Sequence, residues 1–171
     1  MPRHVPEFRP RPILRTLLGH DVDFVLIGGL AGIAHGSAYP SYDVDIAYAR
    51  AHDNLERLAA ALRELGATLR GAPAGLPFQL DAKALENGAQ FTFDTEFGSL
   101  DILSDPDGAP KYAQLRAAAA PPVDFEGETI FIASLDHLIA MKEASGRPKD
   151  KLMATEYRML SDELRAPPTA S

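Results

Sequence analysis

Asp-x-Asp occurs at three places in this 171-residue chain, and the surroundings set one apart. Asp21-Val-Asp23 precedes an apolar run, and Asp105-Pro-Asp107 falls among prolines and a glycine, so both read as polar boundary residues. Asp43-Val-Asp45 instead opens an apolar stretch. In an extended strand, residues two apart share a face, which projects both carboxylates together and sends Val44 and Ile46 the other way. Two like charges on one face repel unless a proton or a cation neutralises them. A divalent metal does so, and all-oxygen ligands favour Mg²⁺ or Mn²⁺. The plain alternative is a pair of solvated carboxylates on an open sheet face.

Other residues bear on that choice. Gly28-Gly29 ends an apolar run thirteen residues before Asp43. Glycine at a strand-to-helix junction lets the backbone approach a phosphate, and a helix start offers free N–H groups to an anion. A phosphate cradle beside paired carboxylates suits a nucleoside triphosphate with a bound cation. Asp101 lies in Ser99-Leu100-Asp101-Ile102-Leu103, an acid within an apolar strand. A buried carboxylate needs a partner, so Asp101 either joins the other acids on a neighbouring strand or pairs with an Arg or Lys. Lys142 shares a helical face with Leu135, Leu138 and Ile139, so it either extends along the core edge or faces an anion. Arg147, Lys149 and Asp150 read as a solvated loop, or Asp150 orients Lys142 or favours the first turn of the last helix. His35 and His137 read as structural.

The elements that must hold these residues follow from periodicity and breakers. A proline- and arginine-rich stretch, 1–12, reads as an irregular arm, followed by a short helix with Pro12 in its first turn. Phe24-Val25-Leu26-Ile27 reads as a strand buried on both faces, with a short helix over 30–35 and a second strand over 43–48. The clearest helix spans about 54–65, opened by Asp53 and Glu56 in a capping-box arrangement. Residues 91–93 and 100–103 read as paired strands joined across 94–99, and a second short pair surrounds Gly127. Two helices, about 134–145 and 148–163, close the domain, leaving 165–171 as a disordered tail. The order implies an α/β (α+β) fold: one domain over 13–164, with a small mixed sheet, flanking helices and a C-terminal helical pair.

Composition narrows the classes. With Lys plus Arg at 17 and Asp plus Glu at 24, the formal charge is 17 − 24 = −7, against non-specific coating of nucleic acid. The chain has no cysteine, which removes disulfides, thiolate metal sites and a cysteine nucleophile. No apolar run reaches the ~20 residues of a membrane span, and the start lacks a secretion signal's apolar core. The expected location is the cytoplasm, with no membrane partner.

The pattern Gly28-Gly29, thirteen residues, Asp43-Val-Asp45 and then Asp101 resembles the nucleotidyltransferase superfamily, the DNA polymerase β-like fold. Within it the chain is similar to the minimal and AbiEii-like branch, whose members often serve as toxins of toxin–antitoxin pairs. Leu138-Ile139-Ala140-Met141-Lys142 with Gly146-Arg147-Pro148-Lys149-Asp150 is similar to the family's closing Lys…Arg…Asp motif, so the likeness covers about residues 20–160. Where the family often carries Arg-x-Thr, this chain has Tyr39 and Ser41, which keeps a hydroxyl and loses a positive charge. The resemblance implies Mg²⁺- or Mn²⁺-dependent transfer of an NMP from an NTP to an acceptor hydroxyl. Asp43, Asp45 and Asp101 would hold metal, with Asp101 also the general base. Gly28, Gly29 and Ser41 would hold phosphates, Lys142 would neutralise their charge, and Arg147 and Asp150 would border the nucleotide.

The family's acceptors are a tRNA 3′ end, a protein hydroxyl, or a small molecule such as an aminoglycoside. Residues 142–158 carry five basic side chains against three acidic ones, and the first fifteen residues carry four arginines against one Glu. Those clusters favour a toxin-type enzyme acting on tRNA, with a cognate antitoxin as a further partner. The overall acidity would equally suit a cationic antibiotic. A module of another class, non-catalytic and using the same cleft for nucleotide sensing or partner docking, is the competing reading.

Overall fold

The computed structural model describes residues 6–73, 79–104 and 111–166. The Asp105-Pro-Asp107 pair and most of the expected C-terminal tail lie outside them. The elements, in chain order, are α1 (Pro10–Gly19), β1 (Phe24–Ile27), α2 (Gly28–Ala34), β2 (Asp43–Tyr48), α3 (His52–Glu64) and β3 (Thr68–Leu69). There follow α4 (Ala82–Glu86), β4 (Gln90–Thr95), β5 (Gly98–Leu103), α5 (Tyr112–Ala117), β6 (Val123–Phe125), β7 (Glu128–Ile132), α6 (Leu135–Ser145) and α7 (Pro148–Arg165).

The strands form one mixed sheet in the order β3-β4-β5-β2-β1-β7-β6. At its centre β2 runs parallel to β5 and antiparallel to β1, while β1 runs parallel to β7. Phe24-Val25-Leu26-Ile27 is buried at every position, as a central strand covered on both sides must be. β2 and β5 alternate instead: Val44, Ile46, Leu100 and Ile102 are fully buried, while Asp43, Asp45 and Asp101 are only partly so. This alternation separates the core from the chemistry.

α1 buries Ile13, Leu14 and Leu17, and packs on β2 and α3. α3 buries Leu55, Leu58, Ala59 and Leu62, the stripe its periodicity announced. Asn54, fully buried beside that stripe, donates to the carbonyls of Asp23 and Ala49 and accepts from the Asp23 N–H. A buried amide so satisfied ties the start of β1 to the end of β2.

Several boundaries differ from the sequence reading. α1 begins at Pro10, so residues 10–12 of the expected arm are helical; both prolines fit a first turn whose N–H groups have no intrahelical partner. α2 begins at Gly28, which puts the glycine pair inside the helix rather than ahead of it. α3 starts at His52 behind Ala51 with no side-chain cap, so the Asp53–Glu56 capping box does not form and Asp53 lies in the first turn. α7 runs through Arg165, past the expected end. The short helices α4 and α5 were not anticipated, because five or six residues are too few to show a period. No helix among the described residues is long and apolar enough to cross a membrane.

Candidate active site

Strand register decides whether the acids meet. Asp45 stands opposite Asp101 across the parallel β2–β5 pair, and Asp43 stands opposite Ser99. Neighbouring residues in register share a face, so Asp43, Asp45 and Asp101 form one acidic patch. Ile27, the last residue of β1, is opposite Asp45 on the other side, and this delivers Gly28 to the same place.

The patch floors a cleft of about 530 Å³ whose far wall comes from α6 and the start of α7. Gly28, Gly29, Ser41, Asp43, Asp45 and Asp101 line it, as do Lys142, Arg147, Lys149 and Asp150. All the residues singled out for metal, phosphate or nucleotide therefore face one cavity. Tyr39 does not line it and packs against the core instead.

The glycines are needed for a reason the sequence did not show. Gly28 has φ +71°, and a Cβ there would stand 2.1 Å from Asp45 Oδ2. A Cβ on Gly29 would stand 2.7 Å from Ser41 Oγ. The pair leaves room for the acid and for the hydroxyl loop, in addition to any ligand. Ser41 Oγ itself donates to the Asp43 carbonyl at 3.2 Å, which fixes the loop entering β2.

Burial drives the Asp45 carboxyl up to about 7, and the charges of Asp101 and Asp43 push the same way against the pull of Lys142. Burial also raises Asp101, although a neighbouring guanidinium opposes it. Both carboxyls are thus raised, because burial and the neighbouring acids disfavour ionising them together.

That guanidinium belongs to Arg70, which the sequence reading missed. Its Nη2 donates to Asp101 Oδ1 at 3.1 Å and to the Phe93 carbonyl at 3.2 Å, and its Nε donates to Asp94 Oδ1 at 3.1 Å. Both outcomes foreseen for Asp101 thus occur together: it lies beside the other acids and it is paired. The ion pair sits in the cleft wall rather than a dry interior, with the Arg70 side chain 37% exposed and that of Asp101 20%. The only clue was the need of Asp101 for a partner, since Arg70 follows a two-residue strand with no distinguishing pattern.

Opposite the acids, Lys142 Nζ donates to Asp150 Oδ1 at 3.2 Å, and Ser145 Oγ donates to Asp150 Oδ2 at 2.5 Å. Arg147 Nε stands 3.3 Å from the same carboxylate. Burial would raise Asp150, but the Ser145 hydroxyl and the charges of Lys142 and Arg147 outweigh it and hold the carboxyl below the ordinary range. Asp150 is also the acid in the first turn of α7. His35 Nε2 bonds with the Ala133 carbonyl at 2.8 Å, a fold contact.

The acids fit a hard divalent cation by donor chemistry: oxygen ligands only, crowded enough that the Asp45 carboxyl is pushed well above the ordinary carboxylate range. Asp101 is drawn toward Arg70, and among the described residues no three acidic or imidazole groups already stand in metal-binding geometry.

No protein-family model matches the sequence, and no curated protein matches it significantly. Solved structures do match the fold. The chain superposes on the lincosamide antibiotic adenylyltransferase LnuA, solved with lincomycin bound, with TM-score 0.60 and 14% identity over 90% of this chain and 99% of that one. It matches ANT(2″)-Ia in complex with adenylyl-2″-tobramycin with TM-score 0.52 and 15% identity over 90% of this chain and 93% of that one. A candidate nucleotidyltransferase from Thermotoga maritima matches with TM-score 0.55 and 16% identity, covering 94% and 99% of the two chains. The chain has the nucleotidyltransferase fold, as the glycine and aspartate pattern implied. At these identities the likeness is one of fold, and it does not distinguish the AbiEii-like branch.

Proposed function

We propose that this protein is a divalent-metal-dependent nucleotidyltransferase that moves an NMP from an NTP to the hydroxyl of a small molecule. The observation that carries the reading is the register Asp45–Asp101 beside Asp43, which gathers three carboxylates on the floor of a cleft whose opposite wall is cationic. A nucleoside triphosphate needs both halves of that arrangement.

Asp43, Asp45 and Asp101 would hold Mg²⁺ or Mn²⁺, which when bound supplies Lewis-acid stabilisation to phosphoryl oxygens. The chain's own groups do the rest. Asp101 accepts the proton of the acceptor hydroxyl, whose oxygen attacks the α-phosphorus in line as pyrophosphate departs. Lys142, steadied by Asp150, faces the charge that builds on the departing oxygens, and Arg147 borders the same wall. Gly28, Gly29 and Ser41 shape the floor on which the phosphates rest.

The acceptor assignment turns on how the basic residues are used. Of the five in 142–158, Lys142 and Arg147 pair with Asp150 and Arg158 pairs with Glu143, so two, Lys149 and Lys151, stand outside these pairs. Arg11 and Arg15 both pair with Glu126. Charges already neutralised within the chain add little to the phosphate contacts a tRNA would need. The fold neighbours solved with lincomycin and with adenylyl-2″-tobramycin support a compact acceptor.

Incubation with each labelled NTP and separate pools of aminoglycosides, lincosamides, tRNA and cell protein tests this. Label on a small molecule is expected. Label on tRNA alone would restore the toxin-type reading and its cognate antitoxin. Nucleotide binding that survives chelation, with no turnover, would identify a non-catalytic module.

A further inference from the structure

Among the described residues, Arg70 is the cation ion-paired with an acid of the patch. It follows β3, the edge strand of the sheet, and its side chain crosses β4 to reach Asp101 on β5. The fork is split: Nε binds Asp94, on β4, while Nη2 is shared between Asp101 and the Phe93 carbonyl. Asp94 is more than half exposed, whereas Asp101 belongs to the cleft. One end of the guanidinium is thus anchored on the surface, and the other rests on a carboxylate that the proposed reaction requires free.

A guanidinium at 3.1 Å from Asp101 Oδ1 opposes a divalent cation in two ways. It occupies a ligand oxygen, and its charge repels the ion by Coulomb's law at short range. A partly exposed pair of this kind is held weakly enough to exchange. The natural exchange partner is an anion in the same cleft, and Arg prefers phosphate oxygens presented side by side.

We propose that Arg70 is a positioning residue that occupies Asp101 until the nucleotide arrives, then transfers its contact to the triphosphate and so makes cation loading depend on nucleotide binding. This rests on the nucleotidyl-transfer reading and adds an order of events to it. The free protein binds Mn²⁺ poorly because the third carboxylate is engaged. Triphosphate releases it.

The test compares wild type, Arg70→Met and Arg70→Lys, each checked for an unchanged far-ultraviolet spectrum and cooperative melting. Mn²⁺ binding to each protein, alone and with inorganic triphosphate, is followed by electron paramagnetic resonance, and metal-free binding of inorganic triphosphate by calorimetry. Arg70→Met is expected to bind Mn²⁺ about tenfold more tightly than wild type, since an opposing charge has been removed. Its triphosphate affinity falls several-fold. Arg70→Lys, which keeps the charge but cannot bridge Asp94 and Asp101 with one planar fork, lies between in both measurements. Equal or weaker Mn²⁺ binding by Arg70→Met, or undiminished triphosphate binding, overturns the exchange and leaves the transfer reading standing. Failure of every protein to bind Mn²⁺, with or without triphosphate, overturns both.

Discussion

Asp45 and Asp150 line the same cleft and are held in opposite electrostatic states. Asp45 faces Asp43 and Asp101, and its carboxyl is pushed up to about 7. Asp150 receives Ser145, Lys142 and Arg147, and its carboxyl is held below the ordinary range. The chain supplies the second acid with everything its charge needs and leaves the first dependent on a proton or an outside cation. Asp150 therefore behaves as a structural anion that positions Lys142. The floor formed by Asp43, Asp45 and Asp101 is where the fold carries a cost in stability, a pattern that clusters at functional sites.

Breaking the floor gives the largest effect. Asp45→Ala or Asp43→Ala is expected to reduce pyrophosphate release by at least ~10³-fold, the scale of losing a preorganised electrostatic contact at a reacting phosphate, with melting temperature unchanged or higher. Undiminished release by either variant would remove the floor from the mechanism. Breaking the opposite wall works through stability first. Asp150→Ala leaves Lys142 and Ser145 without their buried acceptor and is expected to cost about 2 kcal/mol in denaturant unfolding, with a smaller fall in turnover. An unchanged unfolding midpoint would show that Asp150 does not hold that corner.

The contrast is sharpened by pH. In chelated protein the folded state keeps a proton on Asp45 up to about 7, while the unfolded chain releases it near 3.8. The folded state thus binds the extra proton across that window, so wild type loses stability relative to Asp45→Asn as pH rises through it, and the gap levels off above about 7. Asp150 has the opposite sign: its contribution is full above the ordinary aspartate value and fades as pH falls below it. Melting curves of wild type, Asp45→Asn and Asp150→Asn in chelator from acid to mild alkali check both slopes. The smallest effect belongs to the exposed cluster of Arg11, Arg15 and Glu126. Glu126→Gln is expected to leave turnover unchanged and to shift melting least of these variants, since exposed pairs are solvent-screened.

Much of this was legible because strand chemistry is local. Alternation in Asp43-Val-Asp45-Ile46 placed two acids on one face, and the single acid within the apolar run of β5 marked Asp101 as needing a partner. The i, i+3, i+4 and i+7 spacing put Lys142 on the side of α6 that carries Leu135 and Leu138. Arg70 was not legible, because its contacts with Asp94 and Asp101 depend on β3 pairing with β4, and a two-residue strand carries no periodic signal. The packing role of Gly28 was hidden for a related reason: its tight neighbour, Asp45, comes from the next strand. The basic stretch 142–158 was legible as a count and not as a set of contacts. Folding pairs Lys142 and Arg147 with Asp150 and Arg158 with Glu143, and leaves Lys149 and Lys151 outside those pairs.

A crystal soaked with Mn²⁺ and a non-hydrolysable NTP, measured at the manganese absorption edge, addresses the acidic floor most directly. The account predicts an anomalous peak coordinated by Asp43 and Asp45, with Asp101 turned from Arg70 toward the ion. Nucleotide bound in the cleft with no manganese on these carboxylates, and Arg70 still on Asp101, would contradict it.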